Sequence, residues 1–138
     1  MEESFPLHAI RPVVRGLFNL THTRNTGAAF SLFSDASGPW KMFLLVGVSL
    51  ALLVGVVWWL WVSRKQPLRW GLGIGLSLLL GGAVGNLVDR IRFGYVVDFL
   101  DLHIRHHHWP TFNVADSAIT VGAVFLIIDA FQSPSQSR

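Results

Sequence analysis

Three stretches of this chain are apolar over the thickness of a bilayer, and polar residues collect at their ends. Residues 42–62 carry no charge and are bounded by Lys41 and by Arg64 with Lys65. At ~1.5 Å per residue a helix of that length spans about 30 Å, the hydrocarbon thickness. Trp58, Trp59 and Trp61 gather at its C-terminal end, where an aromatic belt belongs. Residues 70–88 form the second stretch, rich in glycine (Gly71, Gly73, Gly75, Gly81, Gly82, Gly85), which favours close helix–helix approach. Residues 112–131 form the third, with a clean apolar run only over 118–128. Residues 1–41 are mixed. Pro6, Pro12 and Gly16 break 5–20 too often for a span. Residues 17–33 alternate Phe, Leu and Thr before a small-residue turn, which predicts short strands or a surface cradle. Tyr95 to Phe99 is β-prone, and 34–39 reads as a loop. The pattern predicts one membrane domain over 1–138, mainly α: three transmembrane helices with a small extracytoplasmic β and loop cradle.

Composition sharpens this picture. Of 138 residues, 51% are hydrophobic and only 14% charged, too few charges for a soluble domain. The net charge of +3 comes from short basic clusters beside the apolar runs. Such clusters read as topology signals and lipid headgroup contacts rather than as a nucleic-acid surface. The densest of them, Arg64, Lys65 and Arg69, places its loop in the cytoplasm. The second span then runs outward and the third inward. Residues 1–41 and 91–111 fall outside, and the tail SPSQSR falls inside. No cysteine is present, which excludes disulfides, thiolate metal sites and a cysteine nucleophile. The N-terminus lacks the pattern of a cleaved signal peptide.

The candidate chemistry sits between the second and third spans. Residues 81–116 hold four of the six aspartates: Asp89, Asp98, Asp101 and Asp116. Asn86, Asp89 and Arg90 stand at i, i+3 and i+4, and Asn113 and Asp116 repeat the i, i+3 spacing at the next span. All of them converge on the predicted outer face. Polar groups at the ends of spans are functional candidates, because carboxylates are expensive near a bilayer. Two carboxylates in one site can share a proton, one activating water while the other protonates a carbonyl or leaving group. Asn25, Asn86 and Asn113 could orient such a pair or bind the substrate backbone, and Arg90 could tie down a loop or offset charge. The spacing alone also admits structural polar caps or an ion pathway. Asp101 reads as a solvated loop residue and Asp129 as an interfacial one. His103, His106, His107 and His108 read as aqueous loop histidines rather than a metal site. His22 has no assignment, and Asn25 with Gly27 would by itself pass as a turn.

Four motifs add a resemblance. TRNTGAAFS at 23–31, GGAVGNLVDR at 81–90, VVDF at 96–99 and FNVADSAI at 112–119 resemble lipoprotein signal peptidase, signal peptidase II, in that family's order. The resemblance implies an aspartic endopeptidase of the bacterial inner membrane that works at the extracytoplasmic face. It implies removal of signal peptides from prolipoproteins just before a diacylglyceryl-modified cysteine. By motif, Asp98 and Asp116 are the implied catalytic pair, supported by Asn25, Gly27, Asn86, Asp89, Arg90 and Asn113. Lipid-modified prolipoproteins and membrane lipids are the implied partners, with lateral substrate entry, no cofactor, no metal and a monomeric state. The family has four spans, the first lying before the TRNTGAAFS segment. Here residues 1–20 carry Glu2, Glu3, Arg11 and Arg15 and no apolar run. A reading frame that is truncated, or that begins at an internal methionine, is therefore expected. The alternatives are a non-catalytic membrane assembly subunit or an inactive shortened homologue. A transporter needs polar groups spread through the membrane depth, and the GxGD motif of the presenilin-related proteases is absent.

Overall fold

The computed structural model describes residues 5–27, 38, 40–63 and 69–132. Residues 28–31 of the first motif, most of the 34–39 loop, Arg64, Lys65 and the tail SPSQSR lie outside them. The elements run β1 (Ile10–Val14), β2 (Phe18–Asn25), α1 (Trp40–Ser63), α2 (Trp70–Phe93), β3 (Val96–Ile104), β4 (His107–His108) and α3 (Val114–Gln132). Three helices are long and apolar enough to cross a membrane, and the strands form one antiparallel sheet in the order β1-β2-β3-β4. The sheet lies at one end of the helices, since β3 follows α2 directly and leads back to α3.

Beyond Lys41 in its first turn, α1 is almost wholly apolar and buries little inside the protein, which suits a helix set against lipid. α2 and α3 make the closest helix pair, and glycine is the reason. A Cβ at Gly75 would stand 2.7 Å from the Leu126 side chain, and one at Gly122 would stand 2.7 Å from the Gly75 carbonyl. At Gly82 a Cβ would overlap the Ala115 carbonyl, one residue before Asp116. The glycine stripe thus sets the distance at which α3 presents its first turn to α2. At the end away from the sheet, Arg69 Nε lies 3.2 Å from Asp129 Oδ1. Asp129 is buried there, because Arg69 pairs with it and the missing side chain of Gly71 makes room for its carboxylate.

Three boundaries differ from the hydropathy reading. α2 continues past residue 88 to Phe93 and stops where Gly94, at φ 79°, takes the left-handed cap and donates to Arg90 O. Asn86, Asp89 and Arg90 therefore share one helical face. α3 begins at Val114, after a capping box in which Asn113 Oδ1 accepts from Asp116 N at 3.0 Å and Asp116 Oδ2 accepts from Asn113 N at 3.2 Å. Within 5–20 a strand does form, β1. It is an edge strand, the position where Pro12 is tolerated.

Candidate active site

Asp98 and Asp116 meet where the sheet rests on the head of α2 and α3. Asp98 lies on β3 with no exposed surface. Asn25, on the neighbouring β2, donates to Asp98 Oδ2 at 2.9 Å, and Asn113 Nδ2 donates to Oδ1 at 2.9 Å. The same Asn113 amide donates to Asn86 Oδ1 at 3.2 Å, and Asn86 Nδ2 donates to Asp116 Oδ1 at 2.8 Å. Both amide protons of Asn113 are thereby used, one on each side of the pair. Two asparagines and one capping box therefore set the carboxylates at a fixed separation. The buried asparagines are satisfied by each other and by the acids, which makes burying them affordable.

A second chain of contacts braces β2 against α2. Asn25 Oδ1 accepts from Gly27 N at 2.8 Å, and Gly27 O accepts from Arg90 Nη2 at 3.0 Å. Arg90 Nη1 reaches Asn86 O at 3.4 Å. Gly27 thus enters through its backbone, and Arg90 as the tie between sheet and helix. Asp89 lies half-buried beside Arg90 but makes none of these hydrogen bonds among the described residues. The motifs gave no role to Lys41, which is buried in the first turn of α1 and donates to Thr26 Oγ1 at 3.2 Å.

The electrostatics separate Asp98 from an ordinary carboxyl. Burial is the main cause that pushes it up to about 6, partly offset by the Asn25 hydrogen bond and reinforced by the negative charge of Asp116. Weaker downward effects come from Asn113 and Arg90. A cavity of about 470 Å³ opens beside Asp116, walled by leucines of α1 and α2, with Asn86, Arg90 and Asp116 at its polar end and Asp98 buried behind them. Its walls are apolar and its head is polar.

Asp101 corrects the sequence reading. It is not a solvated loop residue: it is 4% exposed on β3, where pairing with β2 sets it opposite Asn19. Asn19 Nδ2 donates to Asp101 Oδ2 at 2.8 Å, and His108 Nδ1 lies 2.8 Å from Oδ1. Burial alone would raise the Asp101 carboxyl, but the hydrogen bonds from His108 and Asn19 outweigh it and hold it below the usual range. His108 is therefore more than an aqueous loop histidine, and His103 stacks on it with ring centroids 4.7 Å apart. His22 is also buried, its Nδ1 2.8 Å from Phe5 O. Nothing in the local sequence announces these pairings, because Asn19 and Asp101 meet only through strand register. Asp101→Asn is accordingly expected to lower stability by ~1–3 kcal/mol rather than to be neutral. A denaturation midpoint equal to that of the parent protein in the same detergent would contradict this.

Comparison with known proteins agrees with this architecture. A family model described as signal peptidase (SPase) II matches residues 1–132. The chain belongs to the signal peptidase II family. A lipoprotein signal peptidase of Cupriavidus pinatubonensis is 51% identical over 119 residues, 86% of this chain and 65% of that protein. One of Syntrophus aciditrophicus is 43% identical over 132 residues, 96% of this chain and 81% of that protein. This member thus spans about two thirds of the length of the first of these relatives. A bacterial membrane enzyme solved by the in meso method at 2.3 Å superposes with a TM-score of 0.78 at 30% identity, covering 96% of this chain and 76% of that one.

Proposed function

We propose that this chain is an aspartic endopeptidase that removes signal peptides from diacylglyceryl-modified prolipoproteins, cutting before the lipidated cysteine, at the extracytoplasmic face of a bacterial inner membrane. The observation that carries the reading is the pair Asp98 and Asp116, bridged by Asn113 and Asn86, with Asp116 at the polar head of an apolar cavity. The apolar part of a signal peptide would lie along the leucines of α1 and α2, entering from the bilayer. Its scissile carbonyl would then rest at the head of the cavity. Asp98, with its raised affinity for protons, holds the shared proton and gives it to the carbonyl oxygen. Asp116 takes a proton from the attacking water. The resulting gem-diol collapses as Asp116 gives its proton to the departing amine and Asp98 takes one back from a gem-diol hydroxyl. The asparagines hold the acids, and Arg90 ties Gly27 to α2.

The test is cleavage by the purified chain of a prolipoprotein with a diacylglyceryl-modified cysteine, beside the same polypeptide without lipid. Cleavage before the modified cysteine, and none of the unmodified chain, is expected. The active form carries one proton on the pair. Activity therefore falls at low pH as the second carboxylate is protonated, and falls again as pH rises through the upper transition. For kcat/KM that descending limb is expected at about pH 6, where Asp98 loses its proton. For kcat it should lie higher, since bound substrate displaces water and deepens the burial that raised Asp98. No cleavage between about pH 4 and about pH 9, or activity climbing steadily through the upper half of that range, would sink the reading.

A further inference from the structure

The two hairpin turns at the end of the sheet remote from the carboxylates form a second surface. The β1–β2 turn, with Arg15, Gly16 and Leu17, lies beside the β3–β4 turn at Arg105 and His106, and His103 N–H donates to Leu17 O at 2.9 Å between them. Leu17, Leu102, Ile104 and Trp109 are exposed here, Ile104 by 70% and Trp109 by 59%. With neighbouring histidines they border a hollow of about 370 Å³. Apolar side chains clustered outside the helical spans mark an interaction surface.

The charge of the sheet says with what. Arg11, Arg15 and Arg105 are exposed around these residues, with His106 and His107. The carboxylates of the described strands, Asp98 and Asp101, are both buried. Among the described residues the sheet therefore offers only positive charge to its surroundings; Glu2, Glu3 and Asp35 lie outside them. Geometry keeps the surface close to the bilayer. Trp109 precedes Val114, the first residue of α3, by a segment that at ~3.3 Å per residue reaches at most about 17 Å. An exposed tryptophan tethered to a span end belongs at headgroup level, and arginines beside it meet phosphates.

We propose that this pair of turns is a docking site for anionic phospholipid headgroups in the leaflet on the sheet side. Arg15 and Arg105 meet the phosphates, while Leu17, Ile104 and Trp109 enter the interface. The sheet is thereby seated on the bilayer at a point distinct from the cavity.

The absence of cysteine permits a clean test. Ile104→Cys carries a polarity-sensitive NBD fluorophore, and the full chain is reconstituted into vesicles of phosphatidylcholine, with or without about 30% phosphatidylglycerol. In the anionic vesicles acrylamide quenching is expected to be about fivefold weaker than in the neutral ones, with strong quenching by brominated lipid. Arg15→Gln combined with Arg105→Asn should return both signals to the neutral-vesicle values; asparagine suits the positive φ of 55° at residue 105. Equal acrylamide access in both vesicles would place the turns in water and overturn the proposal. Protection without dependence on phosphatidylglycerol would overturn it too, by removing the anionic headgroup. Protection without brominated-lipid quenching would do so by showing a protein contact instead.

Discussion

Asp98→Asn and Asp116→Asn are each expected to reduce cleavage of a lipidated prolipoprotein by roughly 10³-fold or more, ~4 kcal/mol in barrier. Asparagine keeps the size of the side chain and one carbonyl acceptor but cannot exchange a proton. At residue 98 the new amide also faces two donors, Asn25 and Asn113, so one of these hydrogen bonds is lost. That cost, about 1 kcal/mol, is partly offset because a buried charge disappears. Both variants should therefore insert and melt much as the parent does, and the loss should appear in kcat. If either variant kept more than about a tenth of the parent's turnover, ~1.4 kcal/mol, that carboxylate would have no place in the chemistry.

Asn113→Ala should cost less and report on a different property. Both acids survive, but the amide that donates to Asp98 and to Asn86 is gone, together with the acceptor for Asp116 N. Misplacing reacting groups by about 1 Å costs ~10²-fold, and that is the expected fall in kcat/KM. The direction of the pH effect follows from the same bond. Asn113 stabilises the ionised form of Asp98, so its removal lets burial act more strongly and moves the carboxyl further up. The descending limb should therefore shift to higher pH in this variant. A rate within about threefold of the parent, or a limb that stays in place, would show that Asn113 only caps α3.

The spans were legible because hydropathy acts residue by residue and needs no knowledge of partners. Their ends were not. Asp89, Arg90 and Arg92 look like the close of a membrane helix, yet α2 continues until Gly94 supplies a left-handed cap. The acids were legible as a group at span ends, and Asn86, Asn113 and Arg90 by their spacing beside them, while Asn25 and Gly27 gained weight only through the four motifs. Asn25 and Gly27 by themselves are a turn, and Asn113 by itself is a helix cap. Asp101 could not be read from its neighbours, because a bulge in the β2–β3 ladder between Leu20 and Thr23 decides which β2 residue it faces. The partner of Asp129 was out of reach for a related reason: Arg69 lies near the start of the preceding helix. Pairings between distant residues depend on register and helix contact, which local patterns do not encode.

The carboxylate pair draws on β2, α2, β3 and α3 together, through Asn25, Asn86, Asp98, Asn113 and Asp116. α3 follows all the other described elements, and its cap and first turn bring both the bridging amide and the second acid. During synthesis β3 therefore emerges with Asp98 alone, and the two carboxylates meet only once α3 has been made and has docked along the glycine stripe. If the pair is the catalytic one, chain order sets its timing: a growing polypeptide that has not yet made α3 cannot hydrolyse itself or its neighbours.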